Sequence, residues 1–566
     1  MKIYFNISFF MVLLIPFLTG CQDLDMEPDT GVDDGIMWNN PGYIDRYMVD
    51  LISEMPNGFN PEGFGQGGLE ANATDEAENA NPLSTIQSIN SGNWNSTHLA
   101  EYSWNKYYHA IYKANLFLEK VKATTYSTFA QSTRELALKR LEYYKSEVRF
   151  LRALYYYELI KRYGGVVLVG DNSVQTINDL GKDGFQKKRS SFAECAGYII
   201  GECDYLIDNE TMPIIHTEKD LGRPTRNAVK ALKCKTLLLL ASSVYNTGLG
   251  EGSAQQMGYW EEIVLVAQDI ANGRINSFGP YNKYDGTSSE VILGYRQLNV
   301  NFLETINYPV GCEGIVATGS TNPTQNLVDA YRMLNGMRID EPGSGYDPAN
   351  PYNGRDKRMA NAIIVNGSNW VERNVQPRIV EIFRGGRDGM DRDFGTKTGY
   401  YLRKFINTKL DLRNGQGSNK EWPIFRYADI ALIWAEAANE LYGPSTLGKS
   451  LMTATDILNQ VIVRDGGLPA LPQTGLSKEE LRERIREERF VELAFEGQRA
   501  WDLRRWGVAP QVLSQPVYKM EVTRNPDNSY GYQKQKLEDR FFPERMNLYP
   551  IPQRAVNNGL EQNAGW

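Results

Sequence analysis

From Trp104 to Val121 the apolar residues Tyr108, Ile111, Tyr112, Leu116 and Leu118 recur at helical spacing, with polar residues between them. The pattern predicts an amphipathic helix with one face turned to a core. A second stripe, Val148, Leu151, Tyr155 and Leu159, closes at Gly164-Gly165, a good helix stop. Thr225 after Pro224 is placed to cap a helix running to Asn246-Thr247-Gly248, and the run Leu237-Leu238-Leu239-Leu240 implies burial on most of its sides. Ile430, Ile433, Trp434, Ala437 and Leu441 make another stripe, and Ala454, Ile457, Leu458 and Val461 supply its partner. The chain therefore reads as mainly α, a scaffold of paired helices. Between the pairs lie long stretches rich in Gly, Asn and Pro, at 56–97, 273–325 and 341–400. Connections of that length in a compact protein carry function or lack order, and their Trp, Tyr and Phe content favours ordered function.

Helix pairs with alanine at the crossings and Tyr or Trp on the seams look like tetratricopeptide-type stacking, in which one pair cannot bury its face alone. Sequence identity between the pairs is too low to establish a repeat.

The first residues follow another logic. Lys2, the apolar run Phe9 to Leu18, and small residues before Cys21 have the order of an export signal. The run is about half the length of a membrane-spanning helix. Leu18-Thr19-Gly20-Cys21 resembles a bacterial lipobox, in which the cysteine is acylated and becomes the first residue after cleavage; the alternative is an ordinary secretory signal with an incidental Cys21. Asp23, Asp25, Glu27, Asp29, Asp33 and Asp34 follow with no Lys or Arg before Trp38, which predicts a solvated tether repelled by anionic headgroups. The expected organisation is a signal at 1–20, a lipidated acidic tether at 21–37, and one domain at 38–566.

The net charge of −8 lacks the basic footprint that nucleic-acid binding needs. Cys195, Cys203, Cys234 and Cys312 are too few and too scattered for a disulfide scaffold. The only histidines, His98, His109 and His216, have no zinc-binding spacing, so neither a metal nor a cofactor is expected.

The densest stretch runs from Arg489 to Gly507. Its helix opens with Ser477-Lys478-Glu479-Glu480, a capping box. Glu488, Glu492 and Glu496 stand at i, i+4 and i+8, where like charges repel, so they need cations; Arg426, Arg499, Arg504 and Arg505 are the candidates. A glycosidase would need two carboxylates flanking a bond, and carboxylates along one helix point the same way. Gly63, Gly65 and Gly68 spell a nucleotide-loop pattern without its strand and helix, and read as loop glycines. Asp388, Asp391 and Asp393 could hold calcium but lack the rest of a loop pattern, so they read as a solvated turn.

This helix and what surrounds it resemble the SusD/RagB family of surface nutrient-uptake lipoproteins. Marks in the same order run through the chain: Ala73-Thr74-Asp75-Glu76, Glu147-Val148-Arg149-Phe150-Leu151-Arg152-Ala153, Gly222-Arg223-Pro224-Thr225, Pro323-Thr324-Gln325-Asn326-Leu327, Phe425-Arg426-Tyr427-Ala428-Asp429 and the closing Gln562-Asn563-Ala564-Gly565-Trp566. The resemblance implies four tetratricopeptide-like helix pairs, a loop-built ligand surface without a catalytic centre, a glycan ligand, and a SusC-like TonB-dependent outer-membrane transporter as partner. Peptide capture by the same lid is the alternative within the family; a glycan-cleaving enzyme and a protein-only scaffold are alternatives outside it. The family carries no fixed ligand motif. Asn93-Trp94-Asn95 has the composition of a sugar platform, an aromatic face between amides, in a loop that contributes to the platform in the family; for Trp94 the alternative is a core position. Tyr295, Arg296 and Tyr308 in the second long loop are further candidates, with packed loop aromatics as the alternative, and Trp38 and Trp370 rank below them.

Overall fold

The computed structural model describes residues 34–60, 68–169, 188–216, 220–271, 281–312, 318–371 and 377–566. Helices α1 (Asp34–Trp38), α2 (Pro41–Ser53), α3 (Ser103–Lys120), α4 (Gln131–Tyr163), α5 (Phe192–Asp208), α6 (Arg226–Leu240) and α7 (Ala254–Ala271) form the first half. In the second half come α8 (Tyr427–Tyr442), α9 (Ala454–Val461), α10 (Lys478–Glu492) and α11 (Arg499–Arg505). Each helix from α3 to α7 packs on the next, α7 packs on α8, and α8 packs on α9 and α10. The molecule is a mainly α, tetratricopeptide-like stack, and its main core runs from Trp38 to Leu560.

Local chemistry sets the helix limits. Thr225 accepts the Ala228 N–H as the N-cap of α6. That helix ends at Leu240 rather than at Asn246, because the Asn246 amide folds back and donates to the Leu240 carbonyl at 3.1 Å, satisfying an end-of-helix acceptor. α4 begins well before its apolar stripe because its first turns carry exposed charge, and only the half from Ser146 onward is buried on nearly every side. Burial of that half brings charges inside. Glu147 is met by Arg223 at 2.6 Å, and Arg152 by Asn115 at 2.7 Å and Glu202 at 3.4 Å. α1 draws Asp34 to Met37, assigned by sequence to the tether, onto the body: Asp34 ion-pairs with Lys120 and Trp38 is buried.

The described parts of the long connections contribute short strands. β2 (Val291–Val300) pairs antiparallel with β4 (Ser418–Arg426), with breaks in register at three places. β1 (Ala77–Asn79) pairs with β3 (Thr321–Pro323), and β5 (Val517–Arg524) with β6 (Tyr530–Glu538). A second, smaller core gathers Tyr308, Cys312, Ile364, Trp370, Val380, Ile382 and Tyr401. All four cysteines of the body are buried free thiols.

The glutamate stripe is the electrostatic centre of the fold. The Ser477 capping box forms, with the Ser477 hydroxyl accepting from the Glu480 N–H and the Glu480 carboxylate from the Ser477 N–H. α10 stops at Glu492, and the left-handed Phe495 (φ +65°) and Gly497 (φ +67°) reverse the chain, so Glu496 leaves the helix. Arg426 collects the network: it reaches Glu290 at 2.8 Å, Glu492 at 2.9 Å and Glu496 at 2.6 Å. Arg358 meets Glu488 and, at 2.9 Å, Glu492, while Lys404 meets Glu496 at 2.6 Å. Burial alone would raise Glu492, but Arg426, Arg358 and Lys404 hold its carboxyl down at about 2.

Of the four cations expected to balance the stripe, only Arg426 does so. Arg499 forks onto Asp75 at 2.9 and 2.8 Å, Arg505 binds Glu436 and Asp502, and Arg504 donates to the Ala500 and Met546 carbonyls. The neighbouring Glu76 forms no ion pair among the described residues. It accepts the Phe495 N–H at 3.0 Å and the Thr74 hydroxyl at 3.2 Å, and burial pushes its carboxyl up to about 8. Asp388 departs from the solvated turn expected for it: it is wholly buried, and Arg378 holds its two oxygens at 2.6 and 2.9 Å. Asp391 and Asp393 are exposed, and Asp391 accepts the Gly385 N–H. Gly63 and Gly65 lie outside the described residues.

Candidate functional site

Trp94 is 2% exposed, so it cannot offer a ring face to a sugar. Its ring stands edge-on to Tyr549 at 4.6 Å and to Trp566 at 5.1 Å, under the C-terminal segment. Trp566 is held there by its indole N–H, which lies 3.0 Å from both the Arg545 and Leu548 carbonyls. Burial thus corrects the platform expectation for Trp94 and leaves its two neighbours outside, since Asn93 and Asn95 are exposed. Asn95 closes its own turn, accepting from the backbone N–H groups of Thr97 at 2.9 Å and His98 at 3.1 Å. The Asn93 amide makes no hydrogen bond among the described residues.

The aromatic face missing at Trp94 is supplied from elsewhere in the chain. Phe541 is 57% exposed, while Phe542 beside it is buried. The Phe541 N–H donates to the Asn90 carbonyl at 2.9 Å, and the ring lies across Gly92. Gly92 has φ +70°, and a Cβ there would come within 2.7 Å of the Phe541 ring, so glycine is required on both counts. Arg545 completes the group: its guanidinium donates to the Gly92 carbonyl at 3.4 Å, lies over Trp566 at 5.1 Å, and forms no ion pair among the described residues. The Phe541 ring and the Arg545 guanidinium thus both rest on Gly92, next in sequence to the exposed Asn93. An exposed ring with polar groups near it is the kind of surface that can cover the apolar C–H face of a pyranose. Sequence reasoning missed Phe541 and Arg545; the Phe541-Phe542 pair was the available signal, with one ring turned inward and the other out.

The other candidates have structural duties. Arg296 and Tyr295 lie on β2 opposite Glu421 and Trp422. Arg296 donates to the Gly286 carbonyl at 2.6 Å and pairs with Glu421 at 3.4 Å; burial pushes Glu421 up to about 7 against that pull. Tyr295 is half-buried against the main core. Tyr308 is buried, its ring edge-on to Trp370 at 5.0 Å and its hydroxyl donating to the Asn407 carbonyl at 2.5 Å, so it too offers no face. Trp38 and Trp370 are both buried. Cys21 and the tether up to residue 33 lie outside the described residues.

Comparison with known proteins bears on the whole chain. The model described as "Starch-binding associating with outer membrane" matches residues 24–238, and the model of the SusD family matches residues 293–566. The chain belongs to the SusD/RagB family. A SusD-like protein of Formosa agariphila is 22% identical over 533 residues, covering 91% of this chain and 94% of the relative. A SusD-like protein structure from Bacteroides fragilis superposes with a TM-score of 0.75 at 24% identity, over 94% of this chain and 99% of that one. A SusD-like carbohydrate-binding protein of the same species gives 0.71 at 22% identity, over 92% and 99%. These structures show that the SusD-like fold extends over nearly the entire body.

Proposed function

We propose that this SusD/RagB protein is a cell-surface lipoprotein that binds oligosaccharide or polysaccharide and passes it, uncleaved, to a SusC-like TonB-dependent transporter of the outer membrane. The observation that carries the reading is the exposed Phe541 ring over Gly92, near the exposed Asn93 and near Arg545, which forms no ion pair among the described residues. Aromatic faces with a few convergent polar groups are the usual chemistry of small-ligand recognition. The matching family description, starch-binding and associating with the outer membrane, supports both the ligand class and the location. Cys21 would carry the lipid, and the acidic residues behind it would form a leash. A tethered binder holds captured ligand at high local concentration over its partner. In the network around Arg426, each glutamate of the former stripe already has a cation, which supports binding rather than acid–base chemistry there.

The reading is tested by electrophoresis of the purified body through gels containing soluble starch, laminarin or other polysaccharides, with the polysaccharide recovered afterwards. Retardation in at least one gel without release of fragments is expected. Fragments, or no retardation across the panel, would overturn it.

A further inference from the structure

A groove of about 420 Å³ opens where β4 begins, walled by the turns at 282–285 and 405–407. Its volume falls in the range of small-ligand sites, about 300–1,000 Å³. It shares no residue with the Phe541 platform.

Its walls are held in place from below. Phe405 adopts a left-handed backbone (φ +70°), which a bulky residue takes only when its surroundings impose it. Here Lys420 donates to the Phe405 carbonyl at 2.6 Å and ion-pairs with the buried Glu304. Glu304 in turn accepts the Asn407 N–H at 2.9 Å, and Tyr308 donates to the Asn407 carbonyl from the other side. The sequence candidate Tyr308 therefore buttresses this groove. Tyr284 stands against Phe405 at 4.9 Å and Tyr281 at 5.1 Å, which fixes an aromatic wall.

Two polar side chains on the walls are, by contrast, unspent. Asn282 and Lys283 are exposed, and neither side chain has a hydrogen bond or ion pair among the described residues. The nearby Asp285 is occupied by the Thr287 hydroxyl at 2.6 Å and N–H at 3.0 Å. Charge is balanced, Lys283 and Lys420 standing against Asp285 and Glu304, which favours a neutral ligand rich in hydroxyls.

We propose that this groove is a second saccharide site, taking one neutral hexopyranose unit, with Tyr284 against the sugar's C–H face and Asn282 and Lys283 on its hydroxyls. The proposal rests on the glycan-binding reading above. A groove for one unit and a platform for another would let a single chain engage a long polysaccharide twice.

Saturation-transfer NMR with the methyl glycosides of glucose, galactose and mannose tests it. The wild-type body and Phe541→Ala are expected to give ring-proton signals with at least one of these sugars. The variant Asn282→Ala/Lys283→Ala made in the Phe541→Ala background, with both groove positions exposed and its melting temperature checked as unchanged, is expected to lose them. A wild-type body that gives no signal, or a combined variant that gives full signal, would overturn the groove. Retardation by polysaccharide in the same preparations separates the two claims: if it persists while the monosaccharide signals ignore the groove, only the second site falls, and if it is absent throughout, the glycan reading falls with it.

Discussion

Replacing Arg426 by methionine removes the centre of the buried network. Arg426 is 1% exposed and serves three carboxylates, Glu290 at 2.8 Å, Glu492 at 2.9 Å and Glu496 at 2.6 Å. After the substitution Glu492 keeps Arg358 and Glu496 keeps Lys404, but Glu290 is left with Arg464 at 3.8 Å. Breaking a buried pair by deleting one partner costs about 3–5 kcal/mol, because the remaining charge stays desolvated. A chain of this length has an unfolding entropy of roughly 1 kcal/mol/K, so the melting temperature should fall by only about 3–5 °C. Urea titration is therefore the better assay, followed at pH 7 and pH 5. The loss should be smaller at pH 5, where an orphaned Glu290 can take up a proton, and Glu290→Gln in the Arg426→Met background should recover part of it. An unchanged urea midpoint for Arg426→Met, or a double variant less stable than the single one, would refute the network as the element that joins the 290 and 426 segments to the α10 corner.

Other substitutions probe other parts. Glu76 has its folded pKa raised from 4.5 to about 8, so the native state holds a proton that the unfolded chain has released; the stability this gives is full below pH 4.5 and is lost as pH rises through 8. Glu76→Gln should therefore gain on the wild type in urea midpoint from pH 5 to pH 8 and level off above, and a pH-independent difference would contradict the assignment. Trp94→Ala should cost about 3–5 kcal/mol in urea unfolding as a buried ring is removed, and a loss under 1 kcal/mol would place Trp94 outside the core. Cys21→Ala should abolish labelling by radioactive palmitate and release the protein from the membrane fraction; persisting attachment would disprove the anchor.

Legibility in the sequence followed the physics of each segment. Ile430, Ile433, Trp434 and Ala437 announced α8 because helical periodicity is a local signal. The first half of α4 was silent because its turns are charged and exposed, and β2 was silent because its register is broken and Gly294 interrupts it. The glutamate stripe correctly required cations, but Arg358 lies 130 residues from Glu488 and Lys404 lies 92 from Glu496, and pairings at that range leave no local trace. In the Asn93-Trp94-Asn95 loop the ring that composition singled out is not the exposed one. Composition placed an aromatic among amides there, but only the folded chain shows that Tyr549 and Trp566 cover Trp94 while Phe541 is carried in over Gly92.

Retardation of Phe541→Ala beside the wild type, in a gel containing a polysaccharide that slows the wild type, tests the central claim most directly. Phe541 is exposed, so the substitution should leave stability within about 0.5 kcal/mol, checked on the same sample. The account predicts that the folded variant runs through the polysaccharide gel with its mobility close to that in a plain gel. A folded Phe541→Ala protein slowed as much as the wild type would contradict it.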